Sequence, residues 1–480
     1  MQVSNGHYSP DGIFWVSVAG LAGLCATLGS RIPERGAAAI APRIERILVA
    51  VLALGALAQL AQLLGRSPGI YLRVSRDSFH LFREGIVAAA FVTGAVAFGG
   101  SLLRRSGPPL LLLIHFGLGV WIVNGSPNPF IDVYVFQERG IEALLEGANP
   151  YAAVMPNIYG AGAGYGAELM IGDELTFGYP YPPLALLLAA AGHVFGDLRY
   201  AHVAAGTLAG ALLIAARPGR IATLAVAVLL FSPRVFFVYE QSWIEPFVVL
   251  GLAGVAFCAV RRPRALPYAF GLLCALKQYL VFLPLLIPLL LARPFSWREA
   301  IAFGARAGAV VAILLIPPLL IEVRPYWYSM VEVQFLQPFR TDALSFLVTW
   351  TRQGHPAPGS WPGFVLTPIA IGLTLWRLPR TPSGFAAAVA LVYTIFFAFN
   401  KQAFCNYYYF VIGAAAACVA LAPTRNPAWD PGAGPSARGG GPDRVSASPR
   451  RRHRRRRSAG YSNISGGRPS GGSMVRSSRS

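Results

Sequence analysis

Asp132, Lys277 and Lys401 are the residues of this 480-residue chain whose type and position point most directly to chemistry. Asp132 is a single acid that follows an apolar run and the turn cluster Asn124-Gly125-Ser126-Pro127-Asn128-Pro129. A carboxylate so placed can take the proton of a hydroxyl as that hydroxyl attacks an electrophile. It also stands where a helix N-cap would stand, and could equally accept the N–H bonds of a first turn. Of 41 basic residues only Lys277 and Lys401 are lysines, and each precedes a glutamine and adjoins an apolar run. An ionisable group within a span is costly and marks a functional position. Its ammonium can hold a phosphate as a point charge or reach out to the membrane surface. Glu240 and Glu245, on either side of Gln241-Ser242-Trp243, suit acceptor binding or proton transfer, and equally suit a solvated loop.

The stretch around Asp132 is a long polar loop, 124–183. It ends on two Pro/Tyr motifs, Asn149-Pro150-Tyr151 and Tyr179-Pro180-Tyr181-Pro182-Pro183. From Val133 to Glu146 the period is helical. Val133, Phe136, Ile141, Ala143, Leu144 and Leu145 share one side, opposite Glu138, Arg139, Glu142 and Glu146. Such a helix is expected to lie along the membrane surface with its apolar side in the interface. Glu168, Asp173 and Glu174 follow in a Gly-rich stretch of the same loop. A second polar loop, 322–362, carries Arg324, Trp327, Tyr328, Glu332, Arg340, Asp342 and His355. Its aromatics and arginines suit a sugar and a phosphate, and interfacial belts use the same residue types.

Apolar spans must position these groups. The chain is 55% hydrophobic and 13% charged, against about 25% charged in soluble domains. Its apolar runs are continuous rather than alternating, which argues against an outer-membrane barrel. The expected fold is an all-α polytopic membrane protein of about 13 transmembrane segments. Basic loops set the orientation: Arg104-Arg105, 261–264, Arg293/Arg298 and Arg377/Arg380 read as cytoplasmic, which turns both polar loops outward. Two runs fit this scheme poorly. The run 184–195 is short for a span. The run 266–291 has basic flanks on both sides, as a tight pair of short helices with Lys277 near the outer apex would have.

Three regions follow: N-terminal helices in 1–106, a central region 107–423 and a tail 424–480. The tail is rich in Arg, Pro, Gly and Ser and supplies over half of the net charge of +20. It is expected to be a disordered cytoplasmic segment, either docked on anionic lipid or acting as a topology anchor. Charge of this kind speaks for membrane topology rather than nucleic acid. The five cysteines lie in or beside spans without metal or disulfide spacing. The histidines within spans suit hydrogen bonds between helices. No nucleotide-binding loop, metal-ligand cluster or nucleophile elbow occurs, so no cofactor or metal is expected, and a transferred group must arrive already activated.

The order of these motifs resembles the GT-C glycosyltransferases, family 87 of the DUF2029 type in particular. That family consists of polyprenol-phosphate-mannose-dependent mannosyltransferases. The matching features are an Asp after a span, then Asn149-Pro150-Tyr151, then Tyr181-Pro182-Pro183 opening the next run. Ala275-Leu276-Lys277 and Asn400-Lys401-Gln402-Ala403-Phe404 ahead of Asn406-Tyr407-Tyr408 are similar as well. The likeness covers about 108–422. It implies transfer of a hexose, mannose by default, from a polyprenyl-phosphate donor to an acceptor hydroxyl on the outer face of the inner membrane. Asp132 would be the base, and Lys277 and Lys401 would hold the donor phosphate. Tyr151, Tyr179, Tyr181, Glu245, Asn400 and Gln402 would line the sugar and acceptor site. The acceptor could be a lipid, a glycan or a protein. The competing expectations are a transporter, flippase or polymerase of lipid-linked sugars, and a scaffold without activity.

Overall fold

The computed structural model describes residues 4–30, 42–160, 164–291 and 294–422. The Arg-rich tail and its expected lipid docking lie outside the described residues. The architecture is that of an all-α membrane protein, with 18 α-helices among the described residues. Six are long and apolar enough to cross a bilayer: α1 (Pro10–Gly29), α2 (Pro42–Gly65), α3 (Arg76–Phe98), α4 (Ser101–Gly125), α7 (Arg199–Ala216) and α12 (Trp297–Ile321).

The other apolar runs are shorter or interrupted. The short run after the first polar loop is α6 (Pro183–His193), only 11 residues. The apolar run 221–238 is split. Pro233 cannot continue a helix, and α8 (Arg220–Leu230) ends before it, with α9 (Val235–Glu240) starting afterwards. α10 (Glu245–Arg261) follows. The run 266–291 breaks at Lys277, in keeping with its basic flanks. α11 (Leu266–Cys274) stops, Lys277 takes an extended backbone, and a 3₁₀ helix runs from Gln278 to Leu289. Pro284 and Pro288 remove two of the amide donors an α-helix would need. The three-residue period sets Leu280, Leu283, Leu286 and Leu289 in one row, and all four are buried.

The second polar loop holds three short helices, α13 (Val323–Trp327), α14 (Val333–Leu336) and α15 (Phe346–Arg352). The chain closes with α16 (Trp361–Arg377), α17 (Pro382–Ala398) and α18 (Cys405–Ala420). α18 is the central post, packed on α8, α10 and α17. The N-terminal helices join this core: α1 rests on α16 and α17, α2 on α8, and α3 on α4 and α8. Histidine does link helices here. His115 of α4 bridges Thr207 of α7 at 2.8 Å and the Tyr239 hydroxyl of α9 at 3.1 Å.

The helix α5 (Asp132–Leu145) departs from its expected setting. Its apolar side packs on protein instead of lying in the membrane interface. Phe136 meets the Phe177 ring, Gly140 lies against Leu186 and Tyr179, and the buried Gln137 amide donates to the Ser242 carbonyl at 2.6 Å. Leu144 and Leu145 alone of the apolar residues are exposed. The Gly-rich stretch of the same loop contains three two-residue strands: β1 (Met155–Pro156), β2 (Met170–Ile171) and β3 (Glu174–Leu175). They form an antiparallel sheet of order β1-β3-β2, with Leu175 opposite both Met155 and Met170. Glu168, Asp173 and Glu174 are exposed on it.

Candidate functional site

Asp132 is the first residue of α5, one position beyond the N-cap, which is Ile131. Its carboxylate is divided between two tasks. Oδ1 accepts the Val133 N–H at 2.7 Å, a partial capping role, and Oδ2 accepts the Tyr165 hydroxyl. The Tyr159 hydroxyl accepts the Asp132 N–H at 3.2 Å. The Tyr165 ring lies 5.8 Å from that of Phe177. Burial raises the Asp132 pKa above the ordinary carboxylate value. The bonds from Tyr165, Val133 and Tyr159 and the charge of Arg340 pull the other way. The residue is half-buried and keeps an exposed fraction a reactant could reach. Tyr165 is held protonated, because burial and the neighbouring Asp132 charge both raise its pKa.

A second charged cluster sits where α10, α18 and the Lys277 break meet. The Lys277 ammonium donates to Glu245 Oε1 at 2.5 Å, and both side chains are nearly inaccessible. Asn406 of α18 donates to Glu245 Oε2 at 3.0 Å. The rings of Tyr181, Tyr279 and Tyr407 surround the ammonium at 5.3, 5.6 and 5.3 Å, a cation–π enclosure. Tyr181 and Tyr407, both half-buried, are within electrostatic reach of both Asp132 and Glu245.

The remaining expected site residues lie elsewhere in the weave. Lys401, in the turn between α17 and α18, donates to the Phe335 and Gln337 carbonyls at 2.9 and 2.5 Å, which end α14. Burial lowers its pKa. Gln402 reaches Gln337 at 3.5 Å, and Asn400 is half-buried beside it. Tyr151 and Tyr179 are buried braces. The Tyr151 hydroxyl donates to the Tyr181 carbonyl at 3.0 Å, and its ring packs 4.6 Å from Tyr326 of the second polar loop. Ser329 ties the two loops further, accepting the Gly178 N–H and donating to the Tyr151 carbonyl. Glu240, Glu245's neighbour along the chain, has a different setting. Its carboxylate accepts the Ile70 and Tyr71 N–H groups at 2.7 and 2.9 Å and the Ser126 hydroxyl at 3.0 Å, which clamps the α2–α3 connection.

Tyr165 and Tyr159 join the site although their sequence context does not single them out, Asn406 is marked only as part of the Asn406-Tyr407-Tyr408 motif, and Arg340 is only one of several loop cations. The sole sequence signal for Tyr165 is a lone aromatic among glycines. Arg340 forms a forked pair with Asp342 at 2.9 and 2.8 Å. Although burial works against it, hydrogen bonds from His7 and Arg340 hold Asp342 well below the usual carboxylate range. Among the described residues no group of three or more His, Cys, Asp or Glu side chains converges to hold a metal. Comparison with protein-family models, curated proteins and solved structures gave no match.

Proposed function

We propose that this protein is a GT-C-type membrane glycosyltransferase with about 13 membrane passes. In this reading the 16- and 17-residue helices and the broken runs count as passes. It moves a hexose, mannose by its family resemblance, from a polyprenyl-phosphate donor to an acceptor hydroxyl on the extracytoplasmic face. The observation that carries the reading is Asp132: a half-buried carboxylate with a raised pKa, held by the Tyr165 hydroxyl and within electrostatic reach of Arg340. Raising a carboxylate toward the working pH makes it a better base. As the acceptor oxygen bonds to the sugar C1, its proton passes to Asp132. The C1–O bond to phosphate breaks, and the polyprenyl phosphate departs as an anion. Lys277 would be the better anchor for that anion once donor binding uncovers it, since Glu245 takes only one of its donors. Lys401 is engaged by two main-chain carbonyls. Tyr181 and Tyr407 would flank the sugar.

The test is Asp132→Asn in vesicles supplied with polyprenyl-phosphate mannose. Transfer is expected to fall by about 100-fold or more, and undiminished transfer would refute the assignment. Thermal stability should move the other way. A carboxyl whose folded pKa is raised costs no stability below its unfolded value, near 3.8. It costs progressively more as pH rises through the folded value. Asp132→Asn is therefore expected to melt above the wild type at neutral pH and level with it in acid.

A second reading, a transporter or flippase of lipid-linked sugars, draws on the two interrupted helical runs, at Ser232-Pro233 and at Lys277. It predicts movement of labelled lipid-linked sugar across vesicles and an Asp132→Asn variant that still moves it.

A further inference from the structure

The segment before α1, residues 4–9, lies outside the region of family likeness, yet it is built into the wall that carries Arg340. His7 pairs across a β-bridge with Ala343, and the Tyr8 N–H donates to the Asp342 carbonyl at 2.7 Å. The His7 imidazole lies 3.2 Å from Asp342 Oδ2, the carboxylate that grips Arg340. The Phe404 ring has His7 on one side at 5.6 Å and the Arg340 guanidinium on another at 5.0 Å. Arg352 covers the Tyr8 ring at 4.4 Å. Gly6, with φ of +75°, presses on the chain just ahead of Asn406 and Tyr407. A Cβ there would meet the Cys405 nitrogen at 1.9 Å, so no other residue fits. Ser9 then caps α1 by accepting the Gly12 N–H at 3.0 Å, which anchors the strap on α17 and α16. A tether for a helix needs none of the side-chain contacts to Asp342 and Phe404.

We propose that this N-terminal strap is part of the reaction centre: His7 is a positioning residue that, through Asp342, holds Arg340 within electrostatic reach of Asp132. The inference rests on the assignment of Asp132 as the working carboxylate. Among the described residues, Tyr159 and Tyr165 contact Asp132, and Arg340, Tyr181 and Tyr407 are the further charged and titratable groups within its electrostatic reach. Arg340 is the one cation in that set. Loosening it weakens its pull on Asp132 and lets the carboxyl hold its proton to higher pH.

The experiment reads that proton without requiring sugar transfer. The full-length protein in vesicles is treated with a hydrophobic carbodiimide, which modifies protonated carboxyls. Labelling of Asp132 is then followed by peptide mass spectrometry across pH. Arg340→Gln is expected to raise the labelling midpoint by about 0.5 pH unit or more. His7→Ala should raise it in the same direction, and the double variant should match Arg340→Gln alone. His7→Gln, which keeps a donor toward Asp342, should restore the wild-type midpoint. An unchanged midpoint in His7→Ala overturns the proposal, as does a double variant whose shifts add. Should His7→Ala prove too unstable to purify, His7→Phe, which keeps a ring against Phe404 and removes the donor, decides: a midpoint raised toward that of Arg340→Gln supports the proposal, and one that matches the wild type overturns it. If Asp132 is no base at all, the labelling result stands while transfer by Asp132→Asn survives, so the two failures are told apart.

Discussion

Lys277 and Lys401 begin as twins and end in opposite settings. Both are rare lysines followed by glutamine, both interrupt an apolar run, and both are largely buried. Lys277 meets a carboxylate and three aromatic rings, and its neighbours come from separate segments of the chain. Lys401 meets two carbonyls of one short helix end and closes a turn. The difference lies in what each break faces. The α11 break opens on the meeting point of α10 and α18, whereas the α17–α18 turn opens on α14. The two lysines thus differ in the kind of partner: a charged side chain at Lys277, and at Lys401 carbonyls at a helix end, which any cation can serve.

The largest test of this contrast is Lys277→Met. It leaves Glu245 buried without a cation and is expected to cost about 3–5 kcal/mol in unfolding measurements. Much of that should return in Lys277→Met/Glu245→Gln. Lys401→Met removes charge-assisted bonds to carbonyls and should cost less, about 1.5–3 kcal/mol, with no recovery from Glu245→Gln. Equal losses in the two single variants would erase the distinction. The smallest effect is in alkaline titration. Burial lowers the folded Lys401 pKa below its ordinary 10.5. Between the folded and unfolded values only the unfolded chain keeps the proton, so stability climbs with pH through that window. The climb should be present in the wild type and absent in Lys401→Met.

Much of the scaffold is legible in the order of the residues. Long continuous apolar runs mark α1 to α4 and α12, because length and composition alone decide a span. The basic flanks of 266–291 point to the break at Lys277. The 3₁₀ winding that follows is hidden, since in an all-apolar run periods of 3 and 3.6 look alike. The β1–β3 sheet is hidden for another reason: two-residue strands are too short to show alternation. Asp132 is marked by its place after a span. Its partners are not, because Tyr165 reaches it from 33 residues away along the chain and Arg340 from 208. Glu240 and Glu245 show the same limit. Five positions apart and alike in sequence context, one clamps a connection and the other neutralises a lysine.

The row Leu280, Leu283, Leu286 and Leu289 gives the 3₁₀ segment a natural unit of length. Removing one residue between 278 and 289 would turn everything beyond it by about 120° and carry the following leucines off their buried line. Removing three would shorten the segment by about 6 Å and return every later side chain to its own side. In this stretch chain length is quantised in threes, and variants shortened or lengthened by one full turn should assemble where those changed by a single residue do not.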